Sequence, residues 1–253
     1  MKFHIDTIPV WDALRKGEPC FLCTLAKQAE STWAERFLGG SVMEPEWRIQ
    51  VNAHGFCDRH HQLLYGMGNR LGHALMLESH LHDTHAAMTK LLSQVQDATD
   101  GMSSGGPGRR SRAREAYASA ADALQILSDD CILCAHVAQD MESSVCSVLH
   151  MWKNDSEFRS AFEKCEGFCL PHLHDLIRRA PDMLSGKELP DFVKVLARME
   201  EARTAAIRED VSWFIKKFDY RYHDEPWKNA KDAVPRAVNA LRGRCITDEG
   251  ETR

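Results

Sequence analysis

The strongest constraint on the fold of this chain is a pattern of cysteine and histidine that occurs twice in the same order. Each occurrence has a C-x-x-C pair, followed 34 or 35 residues later by a C-x-x-H motif that begins directly after Gly-Phe. The residues are Cys20, Cys23, Cys57 and His60 in the first occurrence, and Cys131, Cys134, Cys169 and His172 in the second. Because corresponding residues are offset by 111 or 112 positions, the pattern predicts an internal duplication.

Three thiolates and one imidazole make up a standard tetrahedral zinc site. The order along the chain predicts one site in each copy: Cys20, Cys23, Cys57 and His60 in the first, and Cys131, Cys134, Cys169 and His172 in the second. The duplication also selects the histidine, since His60 aligns with His172 whereas His61 aligns with Leu173. Four protein ligands leave no open position, which is typical of structural zinc.

Other interpretations of the same residues remain open. The thiolates can hold two [4Fe–4S] clusters, although these usually take four cysteines, or they can be buried core thiols. Cys165 is an alternative ligand for the second site, but its counterpart in the first copy is Ala53. A thioredoxin-like dithiol fits poorly, because that motif belongs to a βαβ context.

Apolar residues at helical spacing dominate both copies, and no convincing period-two alternation appears. The first C-x-x-C opens a row from Leu22 to Phe37, and the second opens a row from Leu133 to Trp152. Later rows run from Leu71 to Val95 and from Phe192 to Phe218. The predicted fold is an all-α, internally duplicated helical bundle with two pseudo-symmetric Cys/His metal modules and a C-terminal strap.

Composition divides this bundle into four segments. A first module covers 1–98, and a Gly/Ser-rich and then Arg-rich flexible linker covers 99–115. The second module covers 116–218, and residues 219–253 form the strap with a short helix from about Pro235 to Gly243.

Composition and charge exclude several functional classes. The net charge of −5 gives no electrostatic footprint for nucleic acid, and no apolar segment is long enough to span a membrane. Asp6 interrupts the region where a signal peptide has its apolar core, so we expect a cytoplasmic protein. In that compartment nine cysteines favour metal or thiol chemistry over disulfides.

Two further groups of residues are weaker candidates for a cofactor or substrate site. Glu78, His82 and His85 share one face of the predicted long helix and can ligate a second metal or act in acid–base chemistry. In the strap, aromatic and charged side chains that can bind a small anion are Tyr220, Arg221, His223, Trp227 and Arg236. The simpler interpretations are that the three helix residues are paired structural groups, and that the strap packs its aromatic side chains while its charges stay in water.

Several short motifs give the chain a family resemblance. They are Ile8-Pro9-Val10, the Cys20–Cys23 pair, Met43-Glu44-Pro45, Val51-Asn52 before Gly55-Phe56-Cys57, Lys217-Phe218-Asp219-Tyr220-Arg221, Pro226-Trp227 and Lys231-Asp232-Ala233. In these stretches the chain resembles the bacterial family called domain of unknown function 6062. The resemblance covers nearly the whole chain outside the linker, and it implies no particular activity.

The sequence therefore predicts a cytoplasmic metal-binding protein in which two zinc ions support a bundle that binds a small ligand or a protein partner. A redox protein with two [4Fe–4S] clusters is the first alternative. An enzyme with a site between the long helix and the strap is the second.

Overall fold

The computed structural model describes residues 7–100 and 108–246, and within these residues it contains helices and no β-strand. The predicted all-α class is therefore confirmed, whereas the internal duplication stays a prediction. The helices are α1 (Ile8–Arg15), α2 (Phe21–Leu38), α3 (Pro45–His54), α4 (Asp58–Gly66), α5 (Arg70–Asp100), α6 (Arg109–Asp129), α7 (Ile132–Asn154), α8 (Ser156–Phe162), α9 (Leu170–Met183), α10 (Glu188–Lys216) and α11 (Ala233–Arg242). None of the described helices is long and apolar enough to cross a bilayer.

The chain divides into two compact units that do not coincide with the modules expected from the sequence. The first unit combines Met1–Ala29 with Gln139–Arg253, and the second comprises Glu30–Ala138. Both boundaries fall inside helices, one in α2 and the other in α7. Each unit therefore draws on both halves of the sequence pattern.

Aromatic side chains fill the core of the first unit. Phe21 packs edge-on against Phe168 with ring centroids 5.4 Å apart, and Trp152 packs against Phe192 at 5.1 Å. Phe162 joins the two pairs, because its ring lies 5.5 Å from Phe168 and 5.8 Å from Phe192. All five side chains are buried, so α2, α7, α8, α10 and the loop before α9 meet on one aromatic cluster.

The second unit has its own core, at the end of α2. Phe37 packs edge-on against Trp47 at 5.7 Å and against Phe56 at 5.6 Å. Leu64 from α4 and Leu133 from α7 are fully buried in the same cluster. The residues that surround the C-x-x-H motif and the second C-x-x-C pair therefore lie in one hydrophobic core.

The predicted apolar rows of α2 and α7 face these cores. Leu22, Leu25 and Phe37 of α2 are buried, as are Leu133, Val148 and Trp152 of α7. The row that begins on α10 is buried at its N-terminal end, at Phe192, Leu196 and Met199, while Phe218, just after the end of α10, is exposed.

The row predicted on α5 is wrong, although the long helix itself is confirmed. Leu71, Leu81 and Leu92 are exposed, and the buried residues of α5 are Gly72, His73 and Met76. The reason is that α3, α4 and α6 contact α5 on a different face. Toward its C-terminal end α5 pairs mainly with α6, and a single partner covers only one side of a helix.

The predicted linker is shorter than expected, because Thr99 and Asp100 end α5 and residues 109–115 already belong to α6. Residues 101–107 lie outside the described part of the chain. The short C-terminal helix is confirmed, beginning at Ala233, two residues before Pro235, and ending against Gly243.

The segment after α10 is held by one buried lysine. The Lys217 ammonium donates hydrogen bonds to the carbonyl oxygens of Tyr222 (2.7 Å), His223 (2.6 Å) and Glu225. It also lies 5.4 Å from the ring centroid of Trp227. Lys217 fixes the turn that follows α10, because the N–H donors of its ammonium group bind three backbone carbonyl oxygens.

We expect Lys217→Ala to destabilise this turn, because three backbone carbonyl groups lose a charged donor. The free energy of unfolding should fall by about 2 kcal/mol. Limited proteolysis should cut the chain between residues 218 and 230 sooner than in the unmodified protein. Its exposed neighbour provides the control: Lys216→Ala should change stability by less than about 0.5 kcal/mol. Equal effects of the two substitutions would contradict the anchoring role of Lys217.

Candidate metal centres

The first Cys/His group consists of Cys20, Cys23, Cys169 and His172 and lies entirely in the first unit. The Cys169 sulfur is 3.6 Å from that of Cys23 and 4.0 Å from that of Cys20. The Nδ1 atom of His172 is 3.2 to 3.5 Å from all three sulfurs. The four donor atoms converge on one point, and the three cysteines are buried.

The second Cys/His group consists of Cys57, His60, Cys131 and Cys134 and lies in the second unit. The sulfurs of Cys57 and Cys134 are 3.8 Å apart, and Nδ1 of His60 is 3.2 to 3.3 Å from the three sulfurs. This group is more open than the first, because Cys134 is exposed and Cys57 is half-buried. Each group can hold one metal ion.

The pairing of motifs predicted from the sequence is wrong. Each C-x-x-C pair meets the C-x-x-H motif of the other copy, so Cys57 and His60 join the second pair and Cys169 and His172 join the first. Phe56, directly before Cys57, packs against Phe37 near the C-terminal end of α2, in the same compact unit that contains Cys131 and Cys134.

Helix N-termini position the donors of both groups. Cys20 and Cys131 directly precede α2 and α7, while Cys23 and Cys134 occupy their first turns. Cys57 and Cys169 are the N-caps of α4 and α9, with closely similar backbone angles (φ −72°, ψ 169° and φ −72°, ψ 157°). Free N–H groups and the helix dipole stabilise thiolates at such positions, as in the 3.4 Å contact from the Cys134 amide to the Cys131 sulfur.

A glycine shapes the loop before each C-x-x-H motif. Gly55 has φ +61° and Gly167 has φ +127°, a region that side chains disfavour. A Cβ atom on Gly55 would lie 2.5 Å from the His80 ring, and one on Gly167 would lie 2.7 Å from a carboxylate oxygen of Glu200. Both loops therefore need glycine for conformation and for space.

Partly buried polar side chains hold these loops in place. His80 approaches the Asn52 carbonyl oxygen through Nδ1 at 2.9 Å, next to Gly55. Glu200 accepts a hydrogen bond of 2.5 Å from the Phe168 amide, and Arg203 donates to the Phe168 carbonyl oxygen. Burial raises the pKa of Glu200 despite these donors.

In the second group, Glu30 orients the histidine. Its carboxylate lies 3.1 Å from Nε2 of His60 and also pairs with Arg59, so Nδ1 of His60 faces the sulfurs. Burial lowers the pKa of His60, but hydrogen bonds to Cys131 and Glu30 outweigh it and raise the pKa from 6.5 to about 9. A carboxylate behind a ligating histidine is a recurrent feature of metal sites. Nothing in the spacing of the motifs identifies Glu30 as part of this site.

The sulfurs within each group compete for protons. A hydrogen bond from Cys134 lowers the pKa of Cys131 to about 3, and the same contact raises the pKa of Cys134. In the first group, hydrogen bonds to Cys20 and Cys23 and burial raise the pKa of Cys169. Three thiols this close cannot all ionise unless a cation compensates their charge.

Cys165 is not a member of the first group. Burial raises the pKa of its thiol to about 12, so this thiol keeps its proton at neutral pH. All nine cysteines are free thiols in the structure.

The weaker candidates on α5 are separate from both groups. Glu78, His82 and His85 are exposed on the second unit, and none of them belongs to a group of metal donors among the described residues. All three side chains face solvent and not a core, for the same reason that the apolar row of α5 is exposed.

The candidates after α10 mainly pair with their own neighbours. Arg221 forms a hydrogen-bonded ion pair of 2.6 Å with Asp219, which holds the pKa of that carboxyl group below its ordinary value. Tyr220 and His223 are exposed, while Trp227 is half-buried against Phe214 at a centroid distance of 5.8 Å. This arrangement favours the interpretation of a packed strap.

Arg236 lines a cavity of about 240 Å³ together with Arg203, Ile207 and Asn239. The Arg236 guanidinium contacts Asp210 at 2.9 Å and Asp232 at 3.0 Å. Arg203 donates a hydrogen bond to the Phe168 carbonyl oxygen and lies 3.9 Å from Glu200. Because nearby carboxylates already neutralise the charge of both guanidinium groups, the cavity is not a preformed anion site.

Comparison with known protein families agrees with the resemblance seen in the sequence. The family model described as "Family of unknown function (DUF6062)" matches residues 1–248. The chain belongs to this family. No curated protein and no solved structure matches the chain, so membership of DUF6062 brings no activity with it.

We expect Gly55→Ala and Gly167→Ala each to lower the free energy of unfolding by roughly 1–3 kcal/mol, because both positions combine backbone strain with steric overlap. Chemical denaturation measures the effect. Gly66→Ala is the control, since a Cβ atom there meets nothing within 4 Å and φ is not positive. It should leave stability unchanged or slightly higher. Equal stability of all three variants would contradict the role assigned to these glycines.

Proposed function

We propose that this protein binds two structural zinc ions, one in each Cys/His group, and that they stabilise a cytoplasmic helical scaffold for a partner. The observation that carries the proposal is the convergence of two sets of three sulfurs and one imidazole nitrogen. A structural zinc site takes four such ligands and leaves no position for substrate or water.

The interatomic distances favour one ion in each group. With Zn–S of about 2.3 Å and Zn–N of about 2.0 Å, tetrahedral geometry separates two sulfurs by about 3.8 Å and a sulfur from a nitrogen by about 3.5 Å. The observed sulfur–sulfur distances of 3.6 to 4.0 Å are close to the first of these values, and the observed sulfur–nitrogen distances of 3.2 to 3.5 Å are close to the second.

The same distances argue against the [4Fe–4S] alternative. Protein ligands of such a cluster bind different irons, so the cluster itself holds their donor atoms apart. Donor atoms that all lie within 4.8 Å of one another suit a single ion better. The histidine in each group also favours zinc, because [4Fe–4S] clusters usually take four cysteines.

Zinc would contribute mainly to folding in this arrangement. Each group joins a segment from the N-terminal half of the chain to one from the C-terminal half, for example Cys23 to Cys169. A bound ion would compensate the crowded thiolates and hold two helix N-termini together in each unit. Its binding free energy would then be part of the folding free energy.

We expect the protein purified under reducing, anaerobic conditions to contain about two zinc ions per chain and to lack the visible absorption of an Fe–S cluster. Elemental analysis and an absorption spectrum measure both. Chelation should lower the thermal midpoint strongly, because the ions would contribute folding free energy. Iron with stoichiometric sulfide would overturn the proposal in favour of a redox protein, and a fully folded chain without bound metal would also contradict it.

Paired substitutions test which motifs share an ion. If the exchanged pairing is correct, Cys20→Ser combined with Cys169→Ser removes ligands from one group and should cost about one zinc ion per chain. Cys20→Ser combined with Cys57→Ser should cost about two. Pairing within each sequence copy gives the opposite result, so the zinc content of these two variants decides between them. Cys146→Ser is the control and should keep both ions, because Cys146 belongs to neither group.

A further inference from the structure

The two Cys/His groups differ in how far solvent reaches their sulfurs. The three cysteines of the first group are only 0 to 7% exposed. The end of α11 helps to cover them, because a Cβ atom on Gly243 would lie 3.9 Å from the Cys169 sulfur. Arg244, the next residue, forms a 3.3 Å ion pair with Glu18, so this segment lies beside the start of α2. Dissolved reagents therefore have little access to the first group.

Cys134 of the second group, in contrast, is open to solvent. Cys57 is half-buried, and its sulfur lies 3.8 Å from the Cys134 sulfur. Exposure and thiolate character decide which cysteines react with oxidants, and a second thiol nearby allows a disulfide to form. Cys134 meets these conditions, with Cys57 as the second thiol.

Cys131 is a less suitable partner for Cys134, although the two form one C-x-x-C pair. A disulfide requires the sulfurs to approach to about 2.05 Å, so at least one of the side chains has to rotate. Cys131 is 5% exposed and belongs to the hydrophobic core of the second unit, where its sulfur also accepts the Cys134 amide at 3.4 Å. Cys57 lies at the edge of that core and is freer to rotate.

We propose that Cys134 is an oxidation site and that the second Cys/His group is a peroxide-sensitive zinc switch. Hydrogen peroxide joins Cys134 to Cys57 in a disulfide, and the second group then releases its ion while the first group keeps its own. This inference rests on the zinc binding proposed above. It assigns different roles to the two ions, because one is kept under oxidation and the other is released.

One molecule of hydrogen peroxide accounts for the whole step. The Cys134 thiolate attacks one peroxide oxygen, the O–O bond breaks, and hydroxide leaves, so that Cys134 becomes a sulfenic acid. The Cys57 thiolate attacks the sulfenic sulfur, the S–S bond forms, and a second hydroxide leaves. Protons from solvent convert both hydroxides to water. The thiolates have lost two electrons in total, and Cys131 and His60 alone are too few ligands to retain the ion.

The disulfide preserves the local fold after the ion has left. Cys57 is the N-cap of α4, and Cys134 lies in the first turn of α7. The covalent bond therefore replaces the ion as the link between these two helix N-termini. Oxidation releases zinc without unfolding the second unit, and reduction of the disulfide restores the site.

Peroxide treatment of the unmodified, zinc-loaded protein tests the proposal. A chromogenic chelator should report rapid release of one zinc ion per chain, and release of the second should be roughly ten times slower. Denaturation in iodoacetamide after the rapid phase, followed by peptide mass spectrometry, should find Cys57 joined to Cys134. Cys20, Cys23 and Cys169 should be alkylated. Circular dichroism should show unchanged helix content, and dithiothreitol with added zinc should restore two ions.

Paired serine substitutions identify the ion that leaves. Cys20→Ser combined with Cys169→Ser keeps only the second group intact, so peroxide should release its ion at the fast rate. Cys57→Ser combined with Cys134→Ser keeps only the first group intact and should show the slow rate. Cys146→Ser is the control and should behave like the unmodified protein, because Cys146 belongs to neither group.

The zinc content before oxidation separates this inference from the proposal on which it rests. Protein that holds no zinc at the start contradicts zinc binding itself, and the switch with it. Two bound ions that leave at equal rates, or earlier loss from the first group, overturn the switch alone. A disulfide between Cys131 and Cys134, in place of one between Cys57 and Cys134, also overturns it. If a serine pair does not fold, the peptide map of the unmodified protein decides.

Discussion

The convergence of sulfur and imidazole donors at helix N-termini is the constraint on which both units of this protein depend. In each unit, two helix N-termini that are distant in the sequence lie close together, so that three thiols and a histidine crowd at one point. Crowded thiolates repel one another, and burial increases that cost. A bound cation would remove the repulsion, and the backbone amides of four helix starts supply additional positive potential.

The two groups differ in their surroundings although their donors are the same. The cysteines of the first group are buried next to Phe21 and Phe168. The second group has an exposed sulfur at Cys134, and its histidine is oriented by the buried Glu30. The first group is thus shielded from solvent more completely, and in the second a charged residue fixes the orientation of the imidazole.

Local patterns were sufficient to predict the helices that face a core. The rows of α2 and α7 are long, apolar and regularly spaced, and burial follows from their spacing. The same reasoning failed for α5, because an apolar row does not reveal whether another helix is available to cover it. The exposed Leu81 and Leu92 show that the number of neighbours, and not hydrophobicity alone, decides burial.

The sequence by itself determined the all-α class, the eight residues that form the two Cys/His groups, and the glycines that precede the two C-x-x-H motifs. Each of these depends on short-range spacing, which fixes the side chains at a helix start or in a tight loop. Only the tertiary structure decided which motifs pair, and only it brought Glu30 to His60. The physical reason is that the pairing depends on packing within each compact unit, where Phe37 contacts Phe56 and Phe21 contacts Phe168, and the spacing of a motif does not encode which distant segment it meets.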